Sequence, residues 1–184
     1  LMAVKSVEDL DLKGKRAIVR CDLNVPLDGT LSITDEKRIV SSLPTIQYIL
    51  GEGAKLILMS HLGRPKGQKI PEMSLAPVAK SLSGHLNKDV ILAPDCVGPD
   101  VDSLVSSMND GDVVLLENLR YHKEETDNDP GFSEQLADLA DVYVNDAFGT
   151  AHRAHASTEG ITHFIDDVGC GYLLKKEIDF LMGA

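Results

Sequence analysis

An α/β fold, a Rossmann-like parallel sheet flanked by helices in three layers and one domain, is predicted by three observations on this 184-residue sequence. Short apolar runs of strand length recur along the chain, most of them do not alternate, and helical patterns separate them. Unalternating apolar strands are buried on both faces, which suits a parallel sheet covered by helices on each side. With 43% hydrophobic residues the chain can bury such a core.

The elements follow in order. Ala17 to Val19 is the first strand, and Ile39, Leu43, Ile46 and Leu50 then recur at helical spacing after a Thr34-Asp35-Glu36 start. Lys55 to Met59 is the second strand, followed by a helix with Leu75, Val78, Ala79, Leu82 and Leu86 behind Ser74. Val90 to Leu92 and Val113 to Leu116 are the third and fourth strands. Leu136, Leu139 and Ala140, after Ser133, form a helical stripe before the fifth strand, Val142 to Val144. Leu173 or Leu174, Ile178 and Leu181 mark a closing amphipathic helix, in which Phe180 and Leu181 are read as either core or former interdomain contacts, core being favoured because their spacing continues one face. Gly63 to Gly67, Pro94 to Pro99 and Pro130-Gly131 are placed in loops between elements. The last helix stops at Gly183-Ala184 with no capping tail, the ending expected of a domain cut from something longer, although a natural short protein could also end there.

Charge and composition exclude several function classes. A formal net charge of -11 argues against a nucleic-acid or anionic-membrane surface, which needs a basic face to displace counterions. No apolar run approaches the roughly 20 residues that span a bilayer, and no leader pattern is seen, so a cytoplasmic monomer is expected. Cys21, Cys96 and Cys170 are odd in number and far apart, which suggests buried packing rather than disulfides or zinc.

Five of the six arginines, Arg20, Arg38, Arg64, Arg120 and Arg153, lie in short polar segments that also carry Asp, Asn and His. Four of these segments follow strands: Arg20 to Pro26, Ser60 to Pro65, Glu117 to Arg120, and Asn145 to Gly149 running on to His152-Arg153-Ala154-His155. In an open parallel sheet such loops converge beyond the carboxyl ends of the strands, where ligands bind. Arg38 instead sits in the first turn of the first helix, where free backbone N–H groups favour an anion. A guanidinium meets carboxylate or phosphate oxygens with two parallel donors and stays charged at any working pH. Several together imply a ligand with several negative charges, gripped locally by an acidic protein. Asp22 and Asn24 are read as acceptors for hydroxyl groups on that ligand. Each arginine has the alternative of pairing with a carboxylate of its own chain. His152 and His155 stand at i, i+3, but no third His or Cys lies near them, so no metal site is assigned. His85, His122 and His163 are read as solvated or packing residues.

Arg20 to Pro26, His61 to Pro65, Glu117 to Arg120 and Val142 to Ser157 together closely resemble the signature segments of phosphoglycerate kinase. Asn145-Asp146-Ala147-Phe148-Gly149-Thr150-Ala151-His152-Arg153-Ala154-His155 is the most specific of them. The resemblance covers all 184 residues but only about the first half of the family's fold. It implies the substrate-binding domain of a glycolytic enzyme that transfers phosphate between 1,3-bisphosphoglycerate and ADP, giving 3-phosphoglycerate and ATP. By position, the family's basic patch falls on Arg20, Arg38, His61, Arg64, Arg120, His152, Arg153 and His155. Asp22 and Asn24 fall in the segment that meets the hydroxyl and carboxyl end of the substrate, and Arg38 resembles the arginine that stabilises the transferring group. Leu23 and Cys21 stand where the family often has Phe and Val, and neither change removes a charged contact.

The family's C-terminal domain, which carries the nucleotide with its Mg2+, has no counterpart in this sequence. Neither G-x-x-x-x-G-K-[ST] nor G-x-G-x-x-G occurs. The chain alone is therefore expected to bind no cofactor and to lack turnover. Two other readings compete: a stand-alone, non-catalytic module for phosphorylated carboxylic acids, and a phosphatase of the haloacid-dehalogenase type using Asp22. The second wants another Asp where this chain has Asn24.

Overall fold

The computed structural model describes residues 5–151 and 153–183. The chain runs through β1 (Arg16–Arg20), α1 (Lys37–Gly51), β2 (Lys55–Met59), α2 (Ala76–Leu86), β3 (Val90–Leu92), α3 (Pro99–Ser106) and β4 (Val113–Leu115). It continues with α4 (Lys123–Thr126), α5 (Pro130–Ala137), β5 (Val142–Asn145), α6 (Phe148–Ala151), β6 (Asp167–Cys170) and α7 (Tyr172–Gly183). The strands form one sheet in the order β3-β4-β2-β1-β5-β6, with every neighbouring pair parallel.

Successive side chains of each strand feed opposite cores. Ala17, Val19, Leu56, Leu58 and Leu115 turn to the face covered by α1 and α2, against Ile39, Ile46, Ile49, Val78 and Leu82. Ile18, Ile57, Val114 and Tyr143 turn the other way, onto Val101 and Val105 of α3 and Phe132 and Leu136 of α5. All are essentially buried, and the two cores with the sheet between them make the three predicted layers.

The order of the strands decides where a ligand can sit. From β1 the chain leaves through α1 on one face, whereas from β5 it returns to β6 past Ile161 and Ile165 on the other. Adjacent parallel strands whose connections depart to opposite faces leave a crevice beyond their carboxyl ends. That crevice opens where Arg20 ends β1 and Asn145 ends β5.

Several expectations need correction. A sixth strand, β6, joins the sheet at its edge; its sequence Asp-Val-Gly-Cys carries no apolar run. Pro99 opens α3 and Pro130 opens α5, so both prolines begin helices, a position where the missing N–H costs nothing. Pro44 lies inside α1, and the carbonyl it leaves without a helical partner belongs to Val40, which is half exposed and open to water. Phe180 and Leu181 are not core: they are 72% and 64% exposed at the end of α7.

Candidate anion-binding site

Beyond the carboxyl ends of β1, β2, β4 and β5 lies a cavity of about 280 Å³ lined by Asp22, Asn24, Arg38, His61, Gly63, Arg64, Arg120, Gly149, Thr150 and Arg153. Four guanidinium groups face one carboxylate there, on a chain that carries an excess of acid overall. A second, larger hollow of about 730 Å³ shares Asp22, Asn24 and Arg38 with it and extends over Lys37 and Ser41 of α1 to Leu173 at the start of α7.

Arg20 holds the floor. Its side chain is fully buried and does not line the cavity; it lies behind His61. Nε donates to Ser157 Oγ at 2.9 Å, Nη1 to the Cys21 carbonyl, and Nη2 to His61 Nδ1 at 3.0 Å. An arginine only donates, so His61 Nδ1 carries the lone pair and Nε2 carries the proton. Burial, and then the Arg20 charge, push the His61 pKa down to about 2, so the ring is a neutral N–H donor.

Asp22 and Asn24 follow β1 directly. Asn24 Oδ1 accepts from the Gly63 N–H at 2.9 Å, which ties the loop after β1 to the loop after β2. Gly63 adopts φ +65°, and a Cβ there would press on Met73 Sδ at 3.1 Å. Arg38 Nη1 lies 3.5 Å from Asp22 Oδ1 and donates to the Asn24 carbonyl. Asp22 thus pairs with an arginine of its own chain, while half of the Arg38 side chain stays open to the cleft.

The remaining arginines approach from the other loops. Arg64 and Arg153 are exposed, and neither forms an ion pair among the described residues. Arg120 is half-buried; burial and then the charge of Arg20, with Arg153 and Arg64 adding to it, lower its pKa. Its Nε and Thr150 Oγ1 are buried and make no hydrogen bond to the described residues. His155 lies close behind, with Nδ1 equally unpartnered and its pKa lowered by burial first. His152 lies outside the described residues.

Other parts of the predicted polar segments hold the fold together. Glu117 accepts from Ser74 Oγ and the Leu75 N–H, anchoring the approach to α2. The Asn118 carboxamide bonds the backbone of Leu62, Met73 and Arg120. Thr150, Glu125 and Ser157 were missed by sequence reasoning. Thr150 and Ser157 lie inside the segment from Val142 to Ser157 but carry no charge to single them out, whereas Glu125 has no local mark. Elsewhere, donor atoms of Asp95, Cys96 and His122 lie within 4.8 Å of one another. They are bonded internally: His122 Nε2 lies 2.6 Å from Asp95 Oδ1, and Cys96 Sγ donates to the Glu117 carbonyl. Burial raises that thiol well above its usual pKa. His85 and His163 pair with Glu36 and Glu159.

Residues 7–184 match the family described as phosphoglycerate kinase. The chain is 59% identical over 182 residues to the phosphoglycerate kinase of Clostridium botulinum (strain Langeland), covering 98% of this chain and 46% of that protein. It is 59% identical over 186 residues to phosphoglycerate kinase 1, chloroplastic, of Arabidopsis thaliana, covering 38% of that protein. The fold superposes on phosphoglycerate kinase from Coxiella burnetii with a TM-score of 0.88 at 39% identity, over 98% of this chain and 44% of that one. For the enzyme from Pyrococcus horikoshii the TM-score is 0.86 at 32% identity. The chain spans less than half the length of these relatives. With the family match over nearly the whole chain, the sequence identities and the superposed fold in agreement, the chain belongs to the phosphoglycerate kinase family, a family of glycolytic kinases, whose N-terminal region it matches.

Proposed function

We propose that this chain binds 3-phosphoglycerate and 1,3-bisphosphoglycerate, as the substrate half of a kinase that moves phosphate between 1,3-bisphosphoglycerate and ADP. The observation that carries the reading is the convergence of Arg38, Arg64, Arg120 and Arg153 on one cavity with a single lining carboxylate. So much like charge at close quarters is tolerable only when an anion joins it, and a phosphate with a carboxylate supplies the balance. His61 lines the cavity, Arg20 and His155 support the patch from behind, and His152 is carried over on the family resemblance. Asp22 and the Asn24 amide would accept from and donate to the hydroxyl and carboxyl end of the acid.

Arg38 is the catalytic candidate because it lines both hollows, at their junction. In the direction of ATP formation an ADP phosphate oxygen bonds to the acyl-phosphate phosphorus as the bond from phosphorus to the carboxyl oxygen breaks, leaving the carboxylate. Such a transfer needs in-line positioning and cations against the equatorial oxygens, and little covalent help. The nucleotide and its Mg2+ are assigned to a C-terminal nucleotide-binding domain in the part of the family that this chain does not span, and the chain alone has no turnover. No nucleic acid or membrane partner is assigned, and no helix among the described residues is long and apolar enough to cross a membrane. Three buried, free thiols suit the reducing cytoplasm, where we place a monomer.

Calorimetric titration tests the reading. 3-Phosphoglycerate should bind, more weakly as salt is raised, and glycerate should not. Added 1,3-bisphosphoglycerate and MgADP should yield no ATP. Equal heats from the two acids would overturn the proposal.

A further inference from the structure

The geometry points to Glu125 as a positioning residue that, acting through Ser157, holds Arg20 and with it His61 in the orientation and tautomer presented to the anion cavity. The expected effect on ligand affinity rests on the substrate reading above; the effect on His61 does not.

Glu125 is fully buried in α4 and does not line the cavity. A carboxylate survives such burial only when its oxygens are fully hydrogen-bonded. Both oxygens are spent on one residue: Oε1 accepts from the Ser157 N–H at 2.8 Å and Oε2 from Ser157 Oγ at 2.5 Å. The Glu125 carbonyl also accepts from the Ala156 N–H at 2.9 Å. Three bonds therefore clamp the end of the segment that carries Arg153 and His155.

The clamp sets a direction. A serine hydroxyl has one proton, and here Glu125 takes it, so the oxygen lone pairs are left to accept from Arg20 Nε at 2.9 Å. Among the described residues Arg20 forms no direct ion pair, so Glu125 balances the buried guanidinium through the hydroxyl. The Tyr143 hydroxyl, donating to the Ser157 carbonyl at 2.7 Å, fixes Ser157 from the sheet side. Arg20, held at Nε, then directs Nη2 at His61 Nδ1 and leaves Nε2–H for the ligand side. The order is Glu125, Ser157, Arg20, His61: Glu125 makes the serine oxygen an acceptor, Ser157 fixes where the guanidinium lies, and Arg20, a donor only, places the lone pair on His61 Nδ1.

Side-chain nitrogen NMR of His61 in this chain reads the outcome. In wild type the ring should be the Nε2–H tautomer between about pH 5 and 8. In Glu125→Gln the amide nitrogen has no lone pair, so it cannot accept from both groups of Ser157, and Arg20 loses the anchor that aims Nη2 at His61 Nδ1. Glu125→Gln and Ser157→Ala should each give a mixed His61 tautomer and roughly tenfold weaker binding of 3-phosphoglycerate, with a folded amide spectrum. Folded variants that keep the wild-type tautomer would overturn the assignment. Should both variants unfold, the wild-type ring still decides: a proton on Nδ1 would contradict the relay. A wild type that ignores 3-phosphoglycerate but keeps the relay's tautomer response would sink the substrate reading and leave this one standing.

Discussion

Arg20 Nη2 lies 3.0 Å from His61 Nδ1, a buried cation donating to a neutral imidazole. The ring can therefore offer its Nε2 proton to the cavity without carrying a charge that the neighbouring arginines would repel. The pairing also keeps His61 neutral over the range in which histidines ordinarily titrate.

A stability prediction follows with a definite sign. His61 has a folded pKa near 2, below its unfolded value of 6.5, so its contribution is whole above about pH 6.5 and is lost as the pH falls toward 2. Melting temperature should therefore drop through that window, and His61→Gln should flatten part of the drop. A variant with the same acid slope as wild type would show that other groups carry it.

Asp146 should behave oppositely. Burial raises its pKa from 3.8 to about 6, against the pull of Thr45 and the Leu174 and Leu173 amides, so its contribution is present below about pH 3.8 and is lost as the pH rises through 6. Its Oδ1 accepts from the N–H groups of Leu173 and Leu174 and so caps α7. Asp146→Asn, which keeps that oxygen, should hold or raise stability at pH 7. Asp146→Ala should lose about 1–2 kcal/mol as a missing cap does, with faster amide exchange in the first turn of α7.

Gly171 precedes that turn. A Cβ on it would overlap the Asp146 carboxylate. Gly171→Ala should cost about 1–3 kcal/mol in chemical denaturation, the range of core overpacking. An unchanged midpoint would mean that α7 shifts freely.

Much of this was legible in the sequence where chemistry was local. Lys55–Met59 reads as a doubly buried strand because its apolar residues are consecutive, and the arginine-bearing loops read as a site because they follow such strands. What escaped was set by distant neighbours. Asp167–Cys170 is a strand only because β5 lies beside it, and Pro99 and Pro130 look like loop punctuation until the helices they begin are seen. Phe180 continues a helical stripe, but Phe180 to Met182, near the end of α7, are all exposed. Glu125 sits among acidic neighbours, and its role appears only when a residue 32 positions away is folded onto it. Spacing is equally silent on the pairing of Asp22 with Arg38.

Arg64 offers the least encumbered test of charge. It is exposed and forms no ion pair among the described residues, so Arg64→Ala should leave stability within about 0.5 kcal/mol. Loss of one charge-assisted contact of about 1.5–3 kcal/mol should weaken 3-phosphoglycerate binding by roughly one to two decades. Arg38→Ala should weaken it similarly.

The central claim, that the arginine-lined cavity is a site for a phosphorylated acid, is tested most directly by NMR titration of this chain at low salt with 3-phosphoglycerate, using glycerate as control. Saturable shifts confined to amides near Arg38, His61, Arg64, Arg120 and Arg153, and produced by the phosphorylated acid alone, are predicted. Shifts scattered over the surface, or the same shifts with glycerate, would contradict it.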